Sequence, residues 1–274
     1  MKAIKLILLG VSLFSILPLG AQVFDKPRSL AEADSLDRVQ YRVLYQLDFI
    51  SDPTDREYVT QDQVRLDIGT QISKVYSLKH YQADSAATPL IETGQFPRKI
   101  VTDVVPPMIL YRGYPKTQDI TTDYRLPAGA PVMSYVDPKP TLQWQVKPEK
   151  REILGHSCQR AEVSFGGRQW IAWFTSEIPL SEGPYKFGGL PGLILEVADS
   201  EGDYRYTCIG IANLSAGENI VRWKWNQRPT TRKELEKIIV QLYANPEQAI
   251  KALGGRMGFK GDPMLNLPYN PIEK

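Results

Sequence analysis

The sequence predicts a mainly β protein of the α+β class, with a large curved antiparallel sheet followed by a helical hairpin. Three observations favour this fold. Tyrosine and tryptophan, which fit well in strands, occur 14 and 5 times among 274 residues. Apolar and polar residues alternate along several segments, as expected of half-buried strands. The 21 prolines indicate many loops between those segments.

The start of the chain has the three-part pattern of a secretory signal. Two lysines precede an apolar run over residues 6–17, and Pro18 then ends it. The run is too short to span a bilayer, which needs about 20 apolar residues. We expect residues 1–21 to be removed and residues 22–274 to form one domain, exported to the periplasm, the outer-membrane periphery or the medium. An uncleaved N-terminal anchor is the alternative.

The charge balance excludes some classes of partner. The whole chain has 33 Lys and Arg residues against 31 Asp and Glu residues. Loss of the signal, with its two lysines and no acidic residue, leaves no net charge. Nucleic acids and anionic membrane surfaces attract a basic excess, so we expect neither as a partner. We also expect no transmembrane segment after the signal.

The first half of the chain is predicted to contain several strands. Residues 29–38 have the pattern of a short helix. Residues 39–49 alternate in polarity, with Val39, Tyr41, Val43, Tyr45, Leu47 and Phe49 on one face and Gln40, Arg42, Gln46 and Asp48 on the other, which predicts a long, half-buried strand. Further strands are predicted over 63–68, 74–80 and 100–111, with a long loop holding one strand at most over 114–140.

The second half is better organised. Residues 158–165 and 168–175 form a predicted hairpin around Gly166-Gly167, which tolerates the positive φ angles of a tight turn. Near the end of the chain the spacing of apolar residues changes to that of a helix, which is predicted to begin with a capping box at Thr231 and Glu234. Further strands are predicted over 193–198, 204–211 and 220–225, and a second short helix is predicted to begin at Asn245-Pro246.

Two cysteines, Cys158 and Cys208, lie in predicted strands that could be neighbours. An exported protein can oxidise such a pair, and the disulfide would stabilise the fold by about 4 kcal/mol. We favour the disulfide, with two buried free thiols as the alternative. His156 shares a face with Cys158 and could form half of a thiol–imidazole nucleophile or a copper site, but only if that cysteine is free.

The most specific motif is GLPGLI at residues 189–194, preceded by ILGHSC at 153–158 and AWFT at 172–175, and followed by NPIE at 270–273. This succession resembles the GLPGLI family of exported proteins from Gram-negative Bacteroidetes. One departure is His156-Ser157, where the family pattern has an aromatic residue before the cysteine. The family has no established activity, so the resemblance implies an exported β-rich domain and no particular reaction.

The signature loop is the first candidate site. Its glycines permit backbone conformations barred to other residues, and its prolines fix φ. Such a loop can contact a ligand or a partner, or it can be a structural corner that places its leucines in the core. No Lys-Ser or Lys-Thr pair follows the glycines, which excludes a phosphate-binding loop. The candidate residues are Pro184, Gly188, Gly189, Leu190, Pro191, Gly192, Leu193 and Ile194.

The second candidate site is a surface aromatic. Trp170 and Trp173 fall on opposite faces of one predicted strand, so one is expected in the core and the other as a platform for a ligand or partner. The aromatic hairpin and the ILGHSC strand also resemble, faintly, carrier proteins of the lipoprotein-sorting type. That resemblance implies a half-barrel whose hollow binds acyl chains.

Together these features predict a non-catalytic envelope protein that binds a hydrophobic ligand or docks onto an envelope protein. We expect no cofactor, and no metal, because His80 and His156 are far apart and no paired-cysteine motif is present. We assign no catalytic residue. The alternatives are a partner subunit of an outer-membrane receptor or export system, or an exported hydrolase with an acidic site that no motif reveals.

Overall fold

A computed structural model gives the conformation of most of the chain. The residues it describes are 26–95, 105–127, 129–214, 217–254 and 269–274. In chain order the elements are β1 (Ala33–Arg38), β2 (Tyr41–Phe49), β3 (Thr60–Ile68), β4 (Ser73–Ser77), α1 (Leu78–Glu92), β5 (Met108–Arg112), β6 (Asp119–Arg125), β7 (Val132–Pro138), β8 (Gln145–Ile153), β9 (His156–Phe165), β10 (Arg168–Thr175), β11 (Leu193–Asp199), β12 (Tyr204–Asn213), β13 (Asn219–Trp223), β14 (Gln227–Pro229), α2 (Arg232–Ala244) and α3 (Pro246–Ala252).

Twelve strands of the described residues form one open sheet in the order β14-β7-β6-β5-β4-β3-β2-β12-β11-β10-β9-β8. Neighbouring strands are antiparallel throughout, except that β14 runs parallel to β7. A separate two-stranded sheet pairs β1 with β13. The predicted mainly β class is therefore confirmed, and the large sheet is mixed because of its one parallel pair.

The larger core lies on one face of this sheet. Along β2 the alternating residues Val43, Tyr45 and Leu47 are fully buried there, together with residues of β3, β4 and β9–β12. On β3 and β4 the intervening residues face the opposite side, where α1 and the β1–β13 pair pack. The polar side chains on this second face form the site described below.

The predicted C-terminal helical hairpin is confirmed. The capping box forms in full, because the Thr231 hydroxyl accepts from the Glu234 N–H at 3.2 Å while the Glu234 carboxylate accepts from the Thr231 N–H at 3.0 Å. Leu235, Ile239 and Leu242 of α2 are buried against residues of β6 and β7. The helices therefore cover the end of the sheet at which β7 lies.

Three local predictions were wrong. Residues 29–38 do not form a helix; they include β1, whose extended conformation is satisfied by pairing with β13. The strand predicted over 74–80 ends at Ser77, whose hydroxyl caps α1 by accepting from the His80 N–H at 3.2 Å. The stretch 114–140 contains two strands, β6 and β7, rather than one at most.

The predicted disulfide is also wrong: Cys158 and Cys208 are free, buried thiols. They lie on β9 and β12, which are not neighbours in the sheet because β10 and β11 lie between them, and the two sulfur atoms are not bonded. Burial raises the pKa of each thiol to about 11. Both cysteines are therefore protonated core residues, and Cys158 is a poor nucleophile.

The predicted signal, residues 1–21, lies outside the described residues. Within the part of the chain that the structure describes, none of the helices is both long and apolar enough to cross a membrane.

Candidate functional site

A cavity of about 350 Å³ lies on the face of β3 and β4 that is turned away from the larger core. Strand residues form one side of it, and residues of α1 and β13 form the other. We call it the Lys74 cavity. It is lined by Leu30, Arg65, Asp67, Lys74, Tyr76, Tyr81, Ser85, Thr88, Pro89, Glu218, Asn219, Val221 and Trp223.

The antiparallel register of β3 and β4 assembles the polar side of the cavity. It places Asp67 opposite Lys74 and Arg65 opposite Tyr76. Successive side chains of a strand point to opposite faces, so these four residues share one face, while Val75 between them enters the larger core. The cavity therefore combines two basic groups, one carboxylate and one phenol on adjacent strands.

Asp67 is fully engaged by its neighbours. Its carboxylate accepts hydrogen bonds from Arg42 Nε at 2.7 Å, from Arg65 Nε at 3.0 Å and from the Tyr76 hydroxyl at 3.1 Å. Burial raises the pKa of Asp67, although the Arg42 hydrogen bond opposes this. An acid held by two guanidinium groups orders the cavity wall and has little freedom to act as a base.

Lys74 is the most unusual group in the cavity, since its side chain is 2% exposed. Its Nζ donates to the Val221 carbonyl at 2.8 Å and lies 3.3 Å from the centre of the Trp223 ring. Burial lowers the pKa of Lys74 to about 7, in spite of the nearby Asp67 carboxylate. A lysine that exchanges its proton near neutral pH marks a candidate functional site.

The signature loop occupies a different place, between β10 and β11, and its leucines are core residues. Leu190 is 2% exposed, and Leu193 and Ile194 are fully buried. Pro184, Gly188 and Gly192 are buried too, whereas Gly189 and Pro191 are exposed. This placement supports the structural alternative, a corner that fills the core. A partner could reach the loop only at Gly189 and Pro191.

Close backbone contacts explain two features of that loop. A Cβ atom at Gly192 would lie 2.0 Å from the Thr175 carbonyl oxygen, so only glycine fits. The buried Arg112 of β5 donates to the Phe187 carbonyl at 2.7 Å and pairs with Glu182 at 2.5 Å. The loop is therefore bound to β5, which lies far from it in sequence, as well as to the strands that it connects.

The two predicted tryptophans separate as expected. Trp170 is 1% exposed and packs in the larger core, with its ring centre 4.6 Å from that of Phe187. Trp173 is half-buried on the opposite face of β10. The Arg151 guanidinium lies 4.2 Å from the centre of the Trp173 ring and covers it. The surface platform is thus occupied by a side chain of the protein itself.

Three acidic residues, Asp199, Glu201 and Asp203, place carboxylate oxygens within 4.8 Å of one another. Arg168 lies between them, with Nη1 2.7 Å from Asp199, 2.8 Å from Asp203 and 3.7 Å from Glu201. Although burial would lower the pKa of Arg168, its hydrogen bonds to Asp203 and Asp199 outweigh it and raise that pKa. The guanidinium supplies the positive charge at this cluster, and we assign no metal to it.

Residues 269–274 pack onto the same region. Arg168 donates from Nη2 to the Asn270 side chain at 2.7 Å and to the Pro271 carbonyl at 2.8 Å. Glu273 pairs with Lys186 at 2.7 Å. A Cβ atom at Gly166 or Gly167 would lie within 3 Å of side-chain atoms of this segment. The Gly166-Gly167 turn, Arg168 and Lys186 therefore form the surface against which the 269–274 segment packs.

Motif analysis did not find the Lys74 cavity. The signal present in the sequence was the polar half of the alternation over 63–68, which contains Arg65 and Asp67. That pattern ordinarily indicates a solvated strand face. The packing of α1, which follows β4 directly, and of β13, which lies far along the chain, converts this face into a cavity.

Comparison with known proteins gives one family match. The model of a family described as a protein of unknown function (Porph_ging) matches residues 167–196. This segment includes Arg168, both candidate tryptophans and the GLPGLI motif. No protein with a curated description matches the chain.

Solved structures with a similar chain path include PNGF-II in the P21 and C2 space groups. Each has 13% sequence identity and a TM-score of 0.48 to this chain, and covers 75% of it. The match covers 34% and 33% of those chains, so this chain spans about a third of their length.

Proposed function

We propose that this protein is an exported, non-catalytic binding protein of the GLPGLI family, and that its ligand occupies the Lys74 cavity. The observation that carries the proposal is the combination of aromatic walls with buried polar groups around one cavity. Ligand sites are typically concave and largely apolar, with a few polar groups that orient the ligand, and volumes start at about 300 Å³. The Lys74 cavity has the volume and the orienting polar groups of such a site, and its lining is more polar than that of a typical one.

The character of the walls refines the ligand class. The expectation was a hydrophobic ligand, and the rings of Trp223, Tyr76 and Tyr81 offer apolar surface for one. Arg65 and Lys74 add charged donors on the same wall. We therefore propose a compact ligand with an apolar body and a polar end, rather than a long acyl chain.

The hydrolase alternative has less support. A glycosidase-type site needs two carboxyl groups free to face the substrate. In the Lys74 cavity the carboxylates are Asp67 and Glu218, and Arg65 binds both, through Nε to Asp67 and through Nη2 to Glu218 at 3.0 Å. Their engagement with the same guanidinium favours a role in holding Arg65 over a role in proton transfer.

The test is native mass spectrometry of the protein recovered from the cell envelope of its own organism, with extraction of bound small molecules. We expect a co-purifying compound in the wild type that is lost in Ser85→Trp, since Ser85 lines the cavity from α1. Ala86→Trp is the matched control, because Ala86 is an exposed neighbour on the same helix that does not line the cavity. An empty wild-type protein, or equal loss in both variants, would contradict the proposal.

A further inference from the structure

The hydrogen-bond acceptors of the Lys74 cavity are already used by the protein. Asp67 accepts from Arg42, Arg65 and Tyr76, as described above. The Glu218 carboxylate accepts from Arg42 Nη2 at 2.8 Å and from Arg65 Nη2 at 3.0 Å. A ligand that mainly donates hydrogen bonds would have to compete with guanidinium groups for these oxygens.

The donors, in contrast, are incompletely used. Arg65 is 9% exposed, and its Nη1 group has no hydrogen-bond partner among the described residues. The Lys74 ammonium has three N–H donors and gives one of them to the Val221 carbonyl. The hydroxyl of Ser85 and the amide of Asn219 lie at the exposed rim. The cavity is therefore suited to a ligand rich in acceptors.

The formal charges agree with this view. Arg42, Arg65 and protonated Lys74 contribute three positive charges, and Asp67 and Glu218 contribute two negative ones. One positive charge is left over. A carboxylate carries a single negative charge, whereas a phosphate monoester carries about −1.5 to −2 near neutral pH and would over-compensate.

One neighbouring ion pair leaves this balance unchanged. Arg222 is paired with Asp123 at 2.8 Å, and that pair adds no net charge. The remaining wall combines aromatic and apolar side chains with the polar Ser85, Thr88 and Asn219. The Trp223 and Tyr81 rings are stacked, with their centres 6.1 Å apart. An apolar group next to the cations would contact these rings and Leu30.

From these observations we infer that the ligand of the Lys74 cavity is a small monocarboxylate whose acid group faces Arg65 and Lys74 and whose apolar body lies against Trp223 and Tyr81. This inference rests on the proposed function, since it names the class of ligand for the same cavity. It also gives Lys74 a defined role, which is to supply the positive charge that binds the acid.

The test is isothermal titration of the full exported chain with phenylacetate and indole-3-acetate, each compared with its uncharged amide. We expect each acid to bind at least about ten-fold more tightly than its amide, which corresponds to about 1.4 kcal/mol. The preference should fall to near unity in Lys74→Met. It should persist in Lys224→Met, because Lys224 is an exposed residue that follows Trp223 and does not line the cavity.

Equal affinity for acid and amide, an unchanged preference in Lys74→Met, or no binding of either acid at millimolar concentration would overturn the inference. The mass-spectrometric experiment separates this failure from failure of the proposed function. A co-purifying compound without an acid group would leave the binding function standing and refute the monocarboxylate. An empty cavity in the native protein would refute the binding function itself.

Discussion

Lys74 and Arg168 are two buried cations of the same sheet with opposite surroundings. Arg168 is enclosed by Asp199, Asp203 and the 269–274 segment, and its hydrogen bonds raise its pKa. Lys74 has one hydrogen bond and aromatic faces around it, and burial lowers its pKa to about 7. Both side chains are almost inaccessible to solvent, so burial alone does not distinguish them.

The difference teaches how to separate a structural charge from a functional one in this fold. Around Arg168 both Nη groups are bound, one by Asp199 and Asp203 and the other by the 269–274 segment. Only its buried Nε lacks a hydrogen-bond partner among the described residues, and Arg168 does not line the Lys74 cavity. Around Lys74 the protein leaves a charge partly compensated and places a cavity beside it. Burying the Lys74 charge with incomplete compensation reduces stability. Titratable groups in such surroundings are typical of functional sites.

Replacing Arg168 should reduce the free energy of unfolding most. Arg168→Met leaves the buried carboxylates of Asp199 and Asp203 without their shared partner, and breaking a buried ion pair in this way costs about 3–5 kcal/mol. Lys74→Met should cost much less, because Asp67 keeps its hydrogen bonds from Arg42 and Arg65. Urea unfolding at neutral pH measures both. A smaller loss for Arg168→Met than for Lys74→Met would reverse the assignment of roles.

The pH dependence of stability should reveal the under-compensated cation. The pKa of Lys74 is about 7 in the folded protein, below the value of about 10.4 for an unfolded lysine, so the unfolded state binds more protons between these values. Stability from this group therefore rises as pH increases from 7 to 9, by about 2 kcal/mol.

The measurement is the free energy of unfolding at several pH values for the wild type and Lys74→Met. The variant should lack this rise, while Lys224→Met, which removes an exposed lysine, should retain it. Parallel pH profiles for the wild type and Lys74→Met would mean that Lys74 stays protonated throughout, and the contrast with Arg168 would then lose its electrostatic basis.

The contribution of the packing between the 269–274 segment and the Gly166-Gly167 turn can be tested with two glycines in similar conformations. Gly167 and Gly155 have φ angles of 73° and 77°. A Cβ at Gly167 would lie 2.9 Å from the Lys274 Cβ, whereas nothing lies within 4 Å of a Cβ at Gly155. Both alanine substitutions carry the cost of a left-handed residue, about 1–2 kcal/mol.

We therefore expect Gly167→Ala to destabilise the protein by about 1 kcal/mol more than Gly155→Ala, measured by thermal or urea unfolding, because of the contact with the segment. Equal losses would show that the segment adapts easily and contributes little to the surroundings of Arg168.

Much of the fold could be predicted from the sequence, and the failures have physical causes. The strand β2 could be predicted because its apolar residues alternate with polar ones at every position except Leu44. The helix α1 was missed because its apolar residues do not form one stripe and Pro89 lies inside it. The strand β1 was mistaken for a helix because its residues are largely exposed, and its conformation depends on pairing with β13, far along the chain.

The candidate site was harder to predict than the fold. A polar strand face such as that of Arg65 and Asp67 ordinarily indicates contact with water, and no local pattern shows that α1 and β13 will cover it. The disulfide prediction failed for a related reason, since the strand order that separates Cys158 from Cys208 is a property of the whole sheet. The signature residues were found by their motif, but burial of their leucines could not be read from the motif itself.

The smallest predicted effect concerns the aromatic platform, where a third cation lies in an exposed setting. Arg151 covers Trp173 and also pairs with Glu196 at 2.8 Å; Arg205 pairs with the same carboxylate at 3.1 Å and is half exposed. A cation–π contact at an exposed site is worth about 0.5–1 kcal/mol. Arg151→Ala should therefore cost about that much more than Arg205→Ala in urea unfolding, since both lose the ion pair and only the first loses the ring contact. Equal losses would mean that the contact between Arg151 and the Trp173 ring adds no stability, so that a ligand or partner could displace Arg151 from the ring at little cost.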